Sequence, residues 1–466
     1  MYDVIVIGSG PGGYVAAIRG AQLGGKIAVV EADKVGGTCL NRGCIPTKAL
    51  VRSAEVYLTA KRASEFGVEV GEVKFDLARA MERKSQVVQQ LVGGVDQLFK
   101  SNKIDLYRGW ASVPSAGRVV IKKADGTVEE LETKHIILAT GSSQVMPPVS
   151  EESLKHTITS DDALELDRVP ESMVVIGGGV LGVEFACIYN AFGTKVDMIK
   201  RSPVILPPID EEIARRLMPI LKRKGISVTS GMYIKEIVET SNGTKVVRCD
   251  TKDGSSKEFE AEVVLVAMGM KLNFGGIDLD ALGVTYDKYG IKVDERMRTS
   301  ASGIWAIGDV LGKYYLAPVA SFEGIVAMEN IFGEHSVMDY KVVPACVFSI
   351  PEVASVGLKE KEAREAGFEI KVSKFPFTAN GRAVAMGETE GIVKIVADAK
   401  QGTLLGMHVM GPHADDLIHE AAIALKLGAK ASDIAHLIHA HPTLPETVME
   451  AAHGVMGQPI HLARMR

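Results

Sequence analysis

The chain has 466 residues, of which 46% are hydrophobic and 24% charged, and carries a formal net charge of −5. That length leaves room for about three domains, and the composition is that of an ordinary globular protein. No block of clustered Lys and Arg is present, which argues against a nucleic-acid footprint, and no run of about 18 apolar residues suggests a membrane span. The opening MYDVIVIGSGPGG lacks a charged segment leading into an apolar stretch and a cleavage site, so no secretory leader is expected. Five cysteines, an odd number without an export signal, fit a reducing, cytoplasmic setting. A disulfide there is more often catalytic than structural.

Asp3 to Ile7 reads as a short apolar strand. Gly8, Gly10 and Gly13 follow as GxGxxG, then the helical run YVAAIRGAQLG, then the strand KIAVVE ending at Glu31. The three glycines suit different places in such a loop. Gly8 makes a tight turn, Gly10 lets backbone approach a pyrophosphate, and Gly13 lets helix and strand pack closely. The helix N-terminus offers N–H groups to phosphates, and Glu31 suits a ribose hydroxyl. The stretch TCLNRGCIPTK comes next, with four residues between Cys39 and Cys44. A zinc site needs a second ligand pair, and none follows. A helix beginning near Cys39 puts the two sulfurs about one turn apart and lowers a thiol pKa at its N-terminus, so the pair reads as a redox-active dithiol beside a flavin.

Further on, KSQVVQQLVGGVDQLFK reads as an amphipathic helix, and Arg118 to Leu131 as a hairpin around an ADG turn. DALELDRVPES reads as a linker. The strand Met173 to Ile176 then leads into a second fingerprint, Gly177, Gly179 and Gly182. Two fingerprints point to two dinucleotides, hence a flavin enzyme that also uses a nicotinamide. The position matching Glu31 holds Lys200, followed by Arg201. An acid there suits the free ribose of NAD, whereas a cation suits the 2′-phosphate of NADP. The third glycine, Gly182, pulls weakly towards NAD, and the balance leans to NADP. DEEIARRLMPILKRKG reads as a helix ended by Gly225. After about Val342 short strands give way to helices, among them DDLIHEAAIALKLG, whose apolar stripe fits a core or a dimer face. The segment HLIHAHPTLPET holds His436, His439 and His441, then Glu446. A histidine oriented by a carboxylate is a general acid/base unit, and thiol–disulfide exchange needs a proton acceptor. The spacing alone leaves the choice among the three histidines open.

The motifs GGTCLNRGCIPTK, ILATGS, GIWAIGDV, SIPEVASVGL, FPFTANGRAVAMGETEG and HAHPTLPE run through the chain, which over essentially its full length resembles the flavin-dependent pyridine nucleotide–disulfide oxidoreductases. The FTANGRAVAMGETEG stretch is most similar to their lipoamide branch. The resemblance implies an α/β fold with two Rossmann-like dinucleotide-binding domains and a C-terminal α+β dimerisation domain. Its implied segments are 1–145 for FAD, 146–268 for NAD(P), 269–340 completing the FAD site, and 341–466 as the interface. It implies Cys39 as the thiol that meets the substrate disulfide and Cys44 as the thiol beside the flavin. Lys48 would sit near the flavin ring, paired with Glu184. Gly37, Thr38, Ala111, Thr140, Gly141, Ser142, Gly269, Asp309, Tyr315, Leu316 and Ala317 would join the glycines, Glu31, Lys200 and Arg201 in lining the cofactors. His441 would be the base and Glu446 its partner, reaching the disulfide of the other subunit of a homodimer. No metal is implied.

The implied reaction passes electrons between dihydrolipoamide and NAD(P) through FAD and the Cys39–Cys44 disulfide. The implied partner is the lipoyl domain of a 2-oxoacid dehydrogenase or glycine-cleavage complex. Three positions depart from the lipoamide pattern. Arg42 lies between the cysteines, where it either points into solvent or acts on a thiol, the disulfide's potential or an anionic substrate. Pro318 stands where a His is usual, and Lys200 where an acid is usual. They keep open an NADPH-dependent reductase of another small disulfide, similar to glutathione reductase. Mercuric reductases usually carry an extra cysteine pair near the C-terminus, and MGQPIHLARMR has none. A purely structural docking subunit would not need CLNRGC and HPTLPE intact.

Overall fold

The computed structural model describes residues 1–462. The last four residues of the expected interface segment, also the end of MGQPIHLARMR, lie outside the described residues. The chain forms two compact units, each assembled from separated stretches.

The first unit comprises Met1–Pro147, Ile158–Arg168 and Met268–Met338. Strand β1 (Tyr2–Ile7) leads through the first glycine loop into helix α1 (Pro11–Gln22), and strand β2 (Ile27–Glu31) returns parallel to β1, with Val4 opposite Ile27. The sheet continues through Asp105–Arg108 on one side and Val128–Leu138 on the other. The strand Ile304–Ala306 adds itself parallel to Val128–Leu138, with Ile304 opposite Ile136. Runs such as DVIVI suit this place, because a parallel strand is covered on both faces; Val4, Ile5 and Val6 are wholly buried. The expected hairpin is present, Arg118–Lys122 against Val128–Leu138, and Trp110–Ser115 adds a third antiparallel strand. The amphipathic helix spans Leu77–Ser101, starting earlier than its apolar stripe suggests because Asp76 caps it through the Arg79 N–H. Its buried Lys84 donates to the Leu164 carbonyl and to Glu165, so part of the expected linker belongs to this unit.

The second unit comprises Pro148–Thr157, Val169–Ala267 and Asp339–Arg466. Four parallel strands run in the order Ile226–Ser230, Lys195–Lys200, Ser172–Ile176, Val263–Val266, with a three-stranded antiparallel sheet from Tyr233–Glu239, Lys245–Asp250 and Ser256–Ala261. The helix read from DEEIARRLMPILKRKG spans Glu211–Arg223, is capped by Asp210, and tolerates Pro219 inside it. The C-terminal part is a five-stranded antiparallel sheet covered by helices Ala414–Leu427 and Glu446–Val455. The α/β class with two Rossmann-like units and a C-terminal α+β part is therefore observed.

One polar cluster inside the second unit holds its parts in register. Lys394, 2% exposed, reaches Asp210 at 3.0 Å, Glu360 at 3.1 Å and Glu212 at 3.2 Å. Burial opposes the charge on Glu212, but hydrogen bonds from Lys374, Arg216 and Lys394 outweigh it and bring its carboxyl down to about 2. Lys394→Met leaves the buried Asp210 without its cation, while Glu212 keeps Lys374 and Arg216 and Glu360 keeps Arg364. The expected loss is about 3–5 kcal/mol, the scale of breaking a buried ion pair, read from denaturant midpoints. A loss below about 1 kcal/mol would mean that water already screens the cluster. Because the carboxyl of Glu212 is depressed, its contribution holds at neutral pH. It disappears as pH falls from the ordinary carboxylate range towards about 2.

Candidate active site

The first glycine loop has the shape that a dinucleotide needs. Gly8 has φ +99°, and a Cβ there would lie 2.3 Å from the Ala139 carbonyl oxygen. A Cβ on Gly13 would lie 1.9 Å from the Gly8 carbonyl oxygen, so α1 packs directly on the turn. Over Gly10 there is open space, with no heavy atom within 4 Å of where a Cβ would stand. Glu31 ends β2 and is held in place: Ser9 donates its backbone N–H at 2.8 Å and its hydroxyl at 2.6 Å to Oε2, and the Asp33 N–H donates to Oε1 at 2.8 Å. Ser9, which the glycine spacing alone did not single out, fixes the Glu31 carboxylate.

The cysteine loop lies on that glycine loop. The Gly36 N–H donates to the Ser9 carbonyl at 3.0 Å, and a Cβ on Gly37 would lie 2.7 Å from Gly10 Cα. The single helix expected from Cys39 is instead two. Helix α2 (Gly37–Arg42) carries Cys39 and ends at Gly43; helix α3 (Cys44–Lys61) begins on the second cysteine. Gly43 makes the break, at φ −131° and ψ −110°, which turns the chain between the two sulfurs. Cys44 thus sits at the N-terminus of an 18-residue helix, where the dipole favours a thiolate. The two thiols are hydrogen-bonded to one another. That bond and burial push the Cys39 thiol up, and the Lys48 ammonium pulls it part of the way back. One turn into α3, Thr47 is 1% exposed and its hydroxyl has no hydrogen-bond partner.

The remaining first-unit residues gather around the carboxyl ends of the parallel strands. Ser142 donates to Asp309 at 2.5 Å, and burial raises the Asp309 carboxyl above its usual range. The turn bearing Asp309 is fixed by Glu323, which accepts from the Gly308 N–H at 2.6 Å. Nothing in the local sequence flagged Glu323, which comes from the next helix. Thr140 donates to the Asn273 carbonyl at 2.5 Å, the Asn273 N–H returns to Gly141, and the Val145 N–H reaches the Gly269 carbonyl. Leu316 caps the helix Ala317–Ile331, with Tyr315 just before it. Pro318 falls in the first turn of that helix, where a missing N–H costs nothing. Ala111 stands on the antiparallel extension, opposite Ile121. The open cradle over Gly10, the fixed Glu31 and the unpartnered Thr47 hydroxyl fit FAD, with Glu31 suited to its ribose and Asp309 to a flavin-chain hydroxyl.

In the second unit, Gly177 has φ +130°, and a Cβ on Gly182 would lie 2.3 Å from the Gly177 carbonyl oxygen. Gly179 faces open space. The second fingerprint therefore repeats the first in geometry and fits a nicotinamide dinucleotide. Lys200 does not extend outwards. It is 6% exposed, its stem runs beneath Gly178, and its ammonium donates to the Ser202 carbonyl. Burial lowers its pKa to about 8. Arg201 is exposed, with its guanidinium 5.9 Å from the ring centre of Tyr233. Glu184, in the helix Val180–Phe192, is wholly buried and accepts from the Phe348 N–H at 3.0 Å.

At the C-terminal end the structure sorts the three histidines. His439 is 6% exposed and tied to Glu420 at 2.9 Å, while the His436 ring lies against His453. His441 is 79% exposed, and its Nδ1 lies 2.9 Å from Glu446 Oε1. The other oxygen of Glu446 accepts the Thr443 N–H at 2.8 Å. Burial works against the Glu446 charge, but the Thr443 N–H and the His441 ring outweigh it and keep the carboxyl below its usual range. The ring of His441 is thereby oriented, with Nε2 left towards the surface.

Among the described residues, no group of three His, Cys, Asp or Glu side chains is arranged to hold a metal ion, and no helix is long and apolar enough to cross a membrane. Residues 2–324 match the family of the pyridine nucleotide-disulphide oxidoreductases, and residues 343–452 match the dimerisation domain of that family, which supports a homodimer. The chain is 43% identical to the dihydrolipoyl dehydrogenase of Bacillus subtilis, with 99% of each chain covered. It is also 43% identical to that of Thermus scotoductus, again over 99% of each. It is 40% identical to a leghemoglobin reductase of Glycine max, covering 98% of this chain and 88% of that one. Among solved structures, a HOCl-induced flavoprotein disulfide reductase of Escherichia coli, in its Cu(II) complex, superposes with a TM-score of 0.87 at 27% identity, over 97% of this chain and 99% of the other. With two dinucleotide loops, a paired dithiol and these full-length likenesses, the chain belongs to the FAD-dependent pyridine nucleotide–disulphide oxidoreductases, in their lipoamide dehydrogenase branch.

Proposed function

We propose that the chain oxidises the dithiol of dihydrolipoamide and delivers the electron pair to a nicotinamide nucleotide. The observation that carries this reading is the Cys39–Cys44 pair, side by side on the first dinucleotide loop. In the oxidised enzyme the pair is a disulfide. A thiolate of dihydrolipoamide attacks Cys39, the second substrate thiol displaces it, and the products are cyclic lipoamide and two enzyme thiols. FAD, when bound, supplies the two-electron relay from that dithiol to the nicotinamide. The balance is dihydrolipoamide plus NAD(P)⁺ giving lipoamide, NAD(P)H and a proton. Lys48 serves the flavin end, and His441 with Glu446 takes the substrate proton. We assign the four segments 1–145, 146–268, 269–340 and 341–466 to FAD, nicotinamide, central and interface roles, in a cytoplasmic homodimer. Its partner is the lipoyl domain of a 2-oxoacid dehydrogenase or glycine-cleavage complex. Steady-state oxidation of dihydrolipoamide with NAD and NADP in parallel tests the reading, and no turnover with either nucleotide would overturn it.

NADP is the nucleotide we favour, on the basis of the exposed Arg201 and of the Lys200 charge held beneath the same glycine loop. Lys200→Glu is expected to move the kcat/KM ratio towards NAD by about tenfold or more. In the unaltered enzyme the NADP preference should weaken as pH rises through about 8, where Lys200 loses its charge. An unchanged ratio in both experiments would mean that Lys200 serves the glycine loop alone.

A further inference from the structure

Arg42 lies between the two cysteines, and it does not simply point into solvent. Its guanidinium pairs with Asp33 and lies 3.8 Å from Asp161. Exposed ion pairs are often weak, because each partner gives up freedom to meet the other. Here the backbone of Asp33 and the carboxylate of Asp161 are already held. Asp33 donates its N–H to Glu31 at 2.8 Å, and its carbonyl accepts from Arg108 at 3.0 Å. Asp161 accepts from Gln144 at 2.8 Å, and Gln144 also donates to Ser160 at 2.9 Å. The planar fork of arginine is suited to spanning the two carboxylates. Arg42 is the last residue of α2, immediately before the Gly43 break. Cys39 and Arg42 share that one short helix, so what fixes Arg42 fixes the direction in which Cys39 faces Cys44.

We propose that Arg42 is a positioning residue, a clamp between Asp33 and Asp161 that keeps the Cys39 and Cys44 sulfurs together when the bond between them is open. The consequence is a high effective concentration of each thiol at the other. A pair held together closes readily, and its disulfide is harder to reduce. Arg42 then contributes little as a cation, because two carboxylates face its charge. The two roles differ in sign. Removing a clamp lets the dithiol relax and makes the disulfide easier to reduce. Removing an uncompensated cation destabilises the thiolates and makes it harder to reduce.

The measurement is the redox equilibrium of the Cys39–Cys44 pair in the flavin-loaded dimer. Wild-type, R42M and R42K proteins are equilibrated without oxygen in dithiothreitol buffers of set ratio, acid-quenched, alkylated and weighed. Each reduction adds two electrons and two protons to the enzyme disulfide as one dithiothreitol cyclises. The expected result is an R42M disulfide reduced about tenfold more readily, which is ~30 mV less negative. R42K, which keeps the charge and loses the fork, is expected to fall between R42M and wild type. No shift, or a more negative potential in R42M, overturns the clamp, as does an R42K protein with the wild-type potential. Should R42M lose its flavin, R42K decides on the same signs. The inference rests on the dithiol reading above, but this titration uses no lipoamide, so a failure of the proposed substrate and a failure of the clamp are told apart.

Discussion

Serine in place of Cys44 is expected to leave a yellow, folded protein that no longer turns over dihydrolipoamide. The loss should be about 10⁴-fold or more, the scale of removing a reacting nucleophile. The chemistry gives the reason. A hydroxyl forms no bond to Cys39 that dihydrolipoamide can reduce, so the electron pair has nowhere to enter. The structure gives the reason that the rest survives. Cys44 is half-buried at the first position of α3, where serine fits the helix start and fills a similar volume. The first glycine loop, Glu31 and the Asp309–Ser142 pair are untouched, so FAD content should equal wild type. NAD(P)H-dependent reduction of a one-electron acceptor, which needs no enzyme dithiol, should also persist. Lipoamide turnover within tenfold of wild type would refute the dithiol assignment. Loss of flavin together with activity would mean that Cys44 supports the cofactor site and not only the exchange.

Features that rest on neighbours in sequence are legible in the chain itself. Gly8 and Gly177 turn the chain at positive φ, Gly13 and Gly182 let a helix pack on those turns with no room for a Cβ, and the strands before them carry unbroken apolar runs. His441 and Glu446 are near enough in sequence for their pairing to be read from spacing together with the family likeness. What the sequence hides depends on distant segments. Arg42 is explained by Asp161, which arrives from beyond the antiparallel hairpin, and the Asp309 turn by Glu323 on a later helix. The strand Ile304–Ala306 joins a sheet begun at Tyr2, so the first unit cannot be cut out as one continuous stretch. Lys200 has the expected residue type at the expected strand end, but its direction is decided by the absence of a side chain on Gly178. Gly43 is recognisable as a helix break, since glycine ends helices commonly; the regular spacing of the two cysteines obscures it.

The second large effect belongs to His441. Replacing it with glutamine should lower kcat by about 10²–10⁴-fold, the range for removing a general acid/base. Glu446→Gln should cost less, since the ring remains and loses only the carboxylate that orients it. The exposed His441 is also expected to act across the dimer, and mixing variants tests this. A dimer of one H441Q subunit and one C44S subunit has one site that joins an intact cysteine pair to the partner subunit's His441. Its other site carries both lesions. Random exchange of two nearly inactive homodimers should therefore restore about a quarter of wild-type activity, as the two-fold symmetry requires. If each subunit instead used its own His441, every site in every dimer would carry one lesion, and mixing would restore nothing.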